Sequence, residues 1–180
     1  MSLSVKERGT AVATHRYVMV KLMETLARWV PTTPEMEVKL LFGAHIWDCA
    51  QHADALGKRT HELRMPLQHS LPPIPDYREL LDEVDAITDT AGRISAFYDV
   101  LLPGIGARLR AYLELTDDLM DSPTVRIVDR ILYDHARMAR DCEQLRAEFP
   151  ALRPTGEPLA DLRRREGGLG YVDGGAPANA

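Results

Sequence analysis

Apolar residues recur at helical spacing along nearly the whole chain, and strand-like alternation is almost absent. A chain written this way must bury several amphipathic stripes against one another, which makes an all-α fold. Its 180 residues suit one domain, and a 45% apolar fraction supplies the core and excludes wholesale disorder.

The stripes divide into segments. A first helix is predicted from about Ala11 to Val30, with His15, Val18, Met19, Leu22, Leu26 and Trp29 on its inner face and Pro31 as its stop. A second starts at Thr33-Pro34, a capping residue followed by proline, and runs to about Leu63. The short connection makes those two antiparallel neighbours. Met65–Pro75 carries four prolines and reads as a stiff extended crossover, able to span roughly 36 Å. The third stripe starts at Asp76, with Glu79 completing a capping box, and continues to Glu114. A straight helix of that length would outrun its neighbours, so a break is expected near Thr90–Gly92, at Pro103-Gly104, or at both. The last helix opens at Ser122-Pro123 and ends at Phe149-Pro150. The expected organisation is a helical bundle over residues 1–152 and a flexible Gly/Pro/Arg-rich tail over 153–180.

Polar residues interrupt the inner stripes. On the second helix Glu37, His45 and His52 all fall within about 60° of Asp48. On the last helix His135 lies near the centre of the stripe, with Asp134 and Asp141 outside it on what reads as a solvated face; on the first, His15 lies inside. Buried polar groups need partners, so these must meet each other, a ligand, a metal or water. Asp48 and His52 form the best local pair, at i,i+4; His45 with Asp48 is the alternative. His45 and His52 are about 10.5 Å apart in rise, too far to share one ion. Each residue also has a plain reading: Glu37 as a helix-dipole carboxylate, His45 as a rim residue, His15 and His135 as satisfied core histidines, and Tyr98 as packing.

The charge is −5, with no basic cluster beyond Arg163, Arg164 and Arg165, which speaks against nucleic acid and anionic membranes as partners. No run approaches the roughly 18 apolar residues of a span, and MSLSVKERGT lacks the apolar stretch of a signal peptide. The expectation is a cytoplasmic protein. Cys49 and Cys142 do not make a disulfide framework.

The segments EVKLLFGAHIWDCAQHADAL and RIVDRILYDHARMARDCEQL, with the helix lengths and the crossover, resemble the ferritin-like superfamily, in particular its small bacterial members. The resemblance covers roughly Val12–Phe149 and implies a four-helix bundle with one long crossover. It also implies a metal site inside the bundle, with iron or another divalent ion held by residues drawn from Asp48, His52, His135, His15, His45 and Glu37. The chemistry so implied is that of a non-haem oxidase or oxygenase acting on a small molecule. The second helix departs from the Glu-x-x-His pattern of such sites, offering Asp48 and His52 four apart, and the third helix offers Tyr98 in place of an inward carboxylate.

Two other functions fit the same residues. One is a metal-free isomerase or cyclase site, in which Asp48 orients His52 as general acid or base and Tyr98 or Tyr112 donates a hydrogen bond. The other is a non-catalytic binding protein, with homodimerisation through its helices as one arrangement.

Overall fold

The computed structural model describes residues 3–153 and 157–169, and among these all regular structure is helical. The elements are α1 (Val5–Trp29), α2 (Met36–Glu62), α3 (Pro75–Asp85), α4 (Thr90–Ser95), α5 (Leu102–Leu115), α6 (Ser122–Glu148) and α7 (Glu157–Gly168). A π-helical stretch, Ala96–Leu101, joins α4 to α5 without a break, and 3-10 turns follow α1 and α6.

Local chemistry explains the ends. The α1 helix starts earlier than the apolar stripe suggests, because Ser4 and Glu7 form a reciprocal capping box ahead of it. By contrast, Thr33 does not cap α2. Its hydroxyl donates to the Trp29 carbonyl at 2.9 Å and accepts from Arg93 at 3.0 Å, and α2 begins at Met36. The expected box at Asp76 and Glu79 is likewise replaced by a start at Pro75, with Ile74 before it. Pro103 lacks the N–H that would bond the Asp99 carbonyl four residues back, and Arg163 of α7 donates to that oxygen instead, at 3.2 Å. The π stretch sits at this interruption, where proline excludes a regular turn.

Contacts set the directions. Trp29 packs on Phe42 at one end and Arg16 lies beside Gly57 at the other, so α1 and α2 are antiparallel. The connector does not stretch stiffly along the bundle. Arg64 and Gln68 adopt left-handed φ of 65° and 58°, and the Gln68 N–H returns to the Gly57 carbonyl. It then passes Ala13, and α3 runs alongside α1 with Asp82 at Lys21 and Asp85 at Arg28. The return along the molecule is thus made by a helix. The chain leaves helical structure after Asp85 and resumes at Thr90, capped by Asp89, slightly upstream of the expected break. From there to Leu115 it runs antiparallel to α1, with Tyr112 against His15 and Leu115 accepting from Leu3. The α6 helix returns antiparallel to both α5 and α2.

Trp29, Phe42, Tyr77, Phe97, Met19 and Leu56 fill the core. Trp29 is held at an edge and a face of its indole: Nε1 donates to the Asp85 carbonyl at 3.0 Å and Arg93 lies 5.7 Å over the ring. Burial of such a side chain stabilises the fold by roughly 1.5–3 kcal/mol.

The tail expected over 153–180 is in part ordered. Residues 157–168 form α7, which packs on the π stretch and buries Leu162 and Glu166. The Glu166 carboxylate accepts from Arg108 and, at 3.4 Å, from the Tyr77 hydroxyl, while Arg108 stacks 4.9 Å from the Tyr77 ring. Composition alone missed this because one buried carboxylate and two leucines anchor an otherwise polar helix. Residues 170–180 lie outside the described residues.

Candidate functional site: a polar ladder and cleft between α2 and α6

Seven residues make almost two helical turns, so positions seven apart lie on nearly one line. On α2 that line carries His45, His52 and Arg59, and α6 with its leading residue answers each of them. His45 Nε2 lies 3.3 Å from Asp141 Oδ2, and His52 Nε2 lies 3.0 Å from Asp134 Oδ2. Arg59 donates to Asp121 at 2.8 Å and to Thr124 at 2.7 Å. Between the first two rungs, Arg137 reaches Asp48 at 2.8 Å.

The middle rung is the most elaborated. Asp134 is buried and also accepts from Arg130 Nε at 2.8 Å. Burial alone would raise its pKa, but the hydrogen bonds from His52 and Arg130 outweigh it and hold the carboxyl below the usual range. An ionised Asp134 can only accept, so His52 carries its proton on Nε2 and keeps a lone pair on Nδ1. Desolvation holds the His52 pKa below its ordinary value despite Asp134, leaving a neutral ring. His135 packs edge-on to it, with ring centroids 5.8 Å apart, and desolvation pushes its pKa down to about 3. Neither His52 Nδ1 nor either nitrogen of His135 has a hydrogen-bond partner among the described residues.

The sequence-derived candidates therefore separate. Asp48 does not orient His52 through a hydrogen bond; its carboxylate is turned to Arg137, and Asp134 takes the orienting role. Tyr98 does not reach His52. Its hydroxyl donates to His45 Nδ1 at 2.6 Å, and His45 in turn donates from Nε2 to Asp141, giving a Tyr–His–Asp chain at a separate level. His15 lies in another part of the core, edge-on to Tyr112 at 6.0 Å, where desolvation and the nearby Arg108 take its pKa down to about 3. Glu37 is exposed in the first turn of α2. Asp134 and Asp141, expected on a solvated face, are the partners of the two histidines. The signal was present in the sequence: Asp134 and Asp141 repeat the seven-residue spacing of His45 and His52.

The middle rung opens to a cleft of about 460 Å³, within the range of small-molecule sites. Trp47, Ala55, Ile127 and Ile131 supply apolar wall; Asp48, Gln51, His52, Arg126, Arg130 and Asp134 supply polar groups.

A metal centre of the ferritin-like kind does not fit these side chains as arranged. Such a site needs several carboxylates free to bind. Here Asp48 is committed to Arg137, and Asp134 to Arg130 and His52. Among the described residues no group of three or more His, Cys, Asp or Glu side chains is placed to hold a metal ion.

No protein-family model, curated protein or solved structure matches this chain. Among the described residues no helix is long and apolar enough to cross a membrane.

Proposed function

We propose that this chain is a small-molecule-binding protein whose site is the α2–α6 cleft and whose working group is His52. The observation that carries this reading is the His52–Asp134 pair lining a cleft of ligand size between a tryptophan and two arginines. Binding is the primary activity. Asp134 fixes the orientation and tautomer of a neutral imidazole, which is the state a general base requires, so proton abstraction of the kind an isomerase or cyclase uses is the chemistry His52 allows. The site works without a resident metal, because the carboxylates it would need neutralise arginines.

The architecture we propose for this function is a ferritin-like four-helix bundle with one long crossover. Its helices would be α1, α2, the continuous Thr90–Leu115 segment and α6, with α3 in the crossover. The helix directions support this: α1 opposes α2, α6 opposes α2, and the Thr90–Leu115 segment opposes both α1 and α6.

A ligand-observed NMR screen of neutral and charged fragments against the full chain tests the function. Hits are expected to shift amide resonances of residues 47–55 and 126–134, and to be lost in Trp47→Ala and weakened in His52→Gln. Hits that bind both variants as well as wild type, or that map elsewhere, would overturn the assignment of the cleft.

A further inference from the structure

The charges around the cleft are unevenly matched. Asp134 is met by His52, Arg130 and, at 3.4 Å, Arg137, which also reaches Asp48 at 2.8 Å and lies 3.5 Å from Asp141. Arg126 lines the same cleft, is exposed, and has no acidic partner among the described residues. It stands one turn before Arg130 on α6, so two guanidinium groups face the same side at i,i+4, a spacing at which like charges repel. An anion between them would relieve that repulsion. Across from them Trp47, 66% exposed, lines the cleft from α2.

We propose that the cleft selects a planar carboxylate, with the carboxylate forked by Arg126 and the flat apolar body laid on Trp47. The inference rests on the cleft being the binding site. A guanidinium matches a carboxylate in two parallel hydrogen bonds, whereas neutral polar groups gain only one. The ligand is a monoanion because Arg126 is the one cleft arginine left unmatched among the described residues; a second negative charge would meet Asp48 and Asp134 at close range. The indole face adds stacking for a flat ligand, and Ile127 and Ile131 extend the apolar contact. Arg130, already bonded to Asp134, contributes charge to the entrance and holds the floor.

The test uses 2-naphthoate and its neutral amide, 2-naphthamide, titrated against the full chain by calorimetry, with amide-resonance mapping. Arg126→Gln is compared with Arg140→Gln, an exposed arginine on α6 that does not line the cleft. Naphthoate should bind the cleft more tightly than naphthamide, and Arg126→Gln should weaken naphthoate about tenfold while leaving naphthamide unchanged. Equal binding of the two probes at the cleft, indifferent to Arg126→Gln, would overturn carboxylate selection and leave the cleft as a site. Equal weakening by both arginine variants would reduce the effect to general attraction and also overturn it. If neither probe moves residues around the cleft, the carboxylate inference falls, and the fragment screen alone then decides the cleft.

Discussion

His52 and Asp134 meet at 3.0 Å across the α2–α6 interface, and the same carboxylate oxygen accepts from Arg130 at 2.8 Å. Asp134→Ala leaves the buried imidazole N–H without its acceptor and should cost about 1–3 kcal/mol in urea unfolding at pH 7. The folded carboxyl titrates below its unfolded value, so its stabilisation is present above about pH 4 and lost as pH falls through the lower folded pKa. Asp134→Asn should therefore flatten the acid limb of the stability profile below about pH 4.

A second pH effect has a different window. His15 and His135 have folded pKa values of about 3, against about 6.5 when unfolded. Over that interval the unfolded chain takes up protons that the folded chain refuses, so stability is full above the upper value and falls with decreasing pH. Each ring contributes about 1.4 kcal/mol per pH unit. Urea melts between pH 6.5 and 4.5 should show that loss, and His135→Gln should remove one ring's share of the slope. An unchanged slope in the variant would show that His135 is not buried as a neutral ring.

Asp121 is fully buried and accepts from Arg59, Tyr112, Thr116 and Thr124. Arg59 is the one cation among those donors. Arg59→Ala should cost about 3–5 kcal/mol, because it leaves an uncompensated charge in the interior. Arg59→Ala combined with Asp121→Asn should recover part of that loss, measured by thermal unfolding.

Gly104 sits where any Cβ would overlap the Glu166 carboxylate, which is itself pinned by Arg108. Gly104→Ala should displace α7, with faster amide exchange over residues 157–169 and a loss of about 1–3 kcal/mol. The exchange of α2 and α6 should remain as in wild type, which separates undocking of α7 from general unfolding.

Elemental analysis after anaerobic loading with ferrous iron should show less than stoichiometric iron or manganese in wild type. Stoichiometric metal that disappears in His52→Ala would overturn the metal-independent reading of the cleft.

Much of the helical layout was legible because apolar period and proline position report it directly. Pro31, Pro123 and Pro150 each mark a helix boundary to within a few residues. Capping was less legible, since a threonine hydroxyl serves whichever partner the tertiary structure offers: Thr33 is claimed by Trp29 and Arg93. The site was half legible. The inward turn of His45 and His52 follows from their own helix, but their partners depend on which flank of α6 faces α2. Asp134 lies beside the apolar stripe, where a single helix gives no way to tell a solvated residue from one touching a neighbour. Asp48 illustrates the same limit, because its proximity to His52 in sequence said nothing of Arg137.

The three rungs at His45, His52 and Arg59 have a consequence for how α2 and α6 find each other. Apolar helix surfaces fit at several offsets, since ridges and grooves repeat every turn. The rungs are not all alike: two imidazoles face carboxylates, and at one end a guanidinium meets a buried carboxylate. Sliding α6 by two turns toward the Arg59 end of α2 would bring Asp141 to His52 and Asp134 to Arg59, while stranding His45 and carrying Asp121 past the end of α2, away from Arg59. Only one alignment satisfies all three, so the polar residues act as a positional key that selects a single seating among offsets the greasy surfaces alone would tolerate.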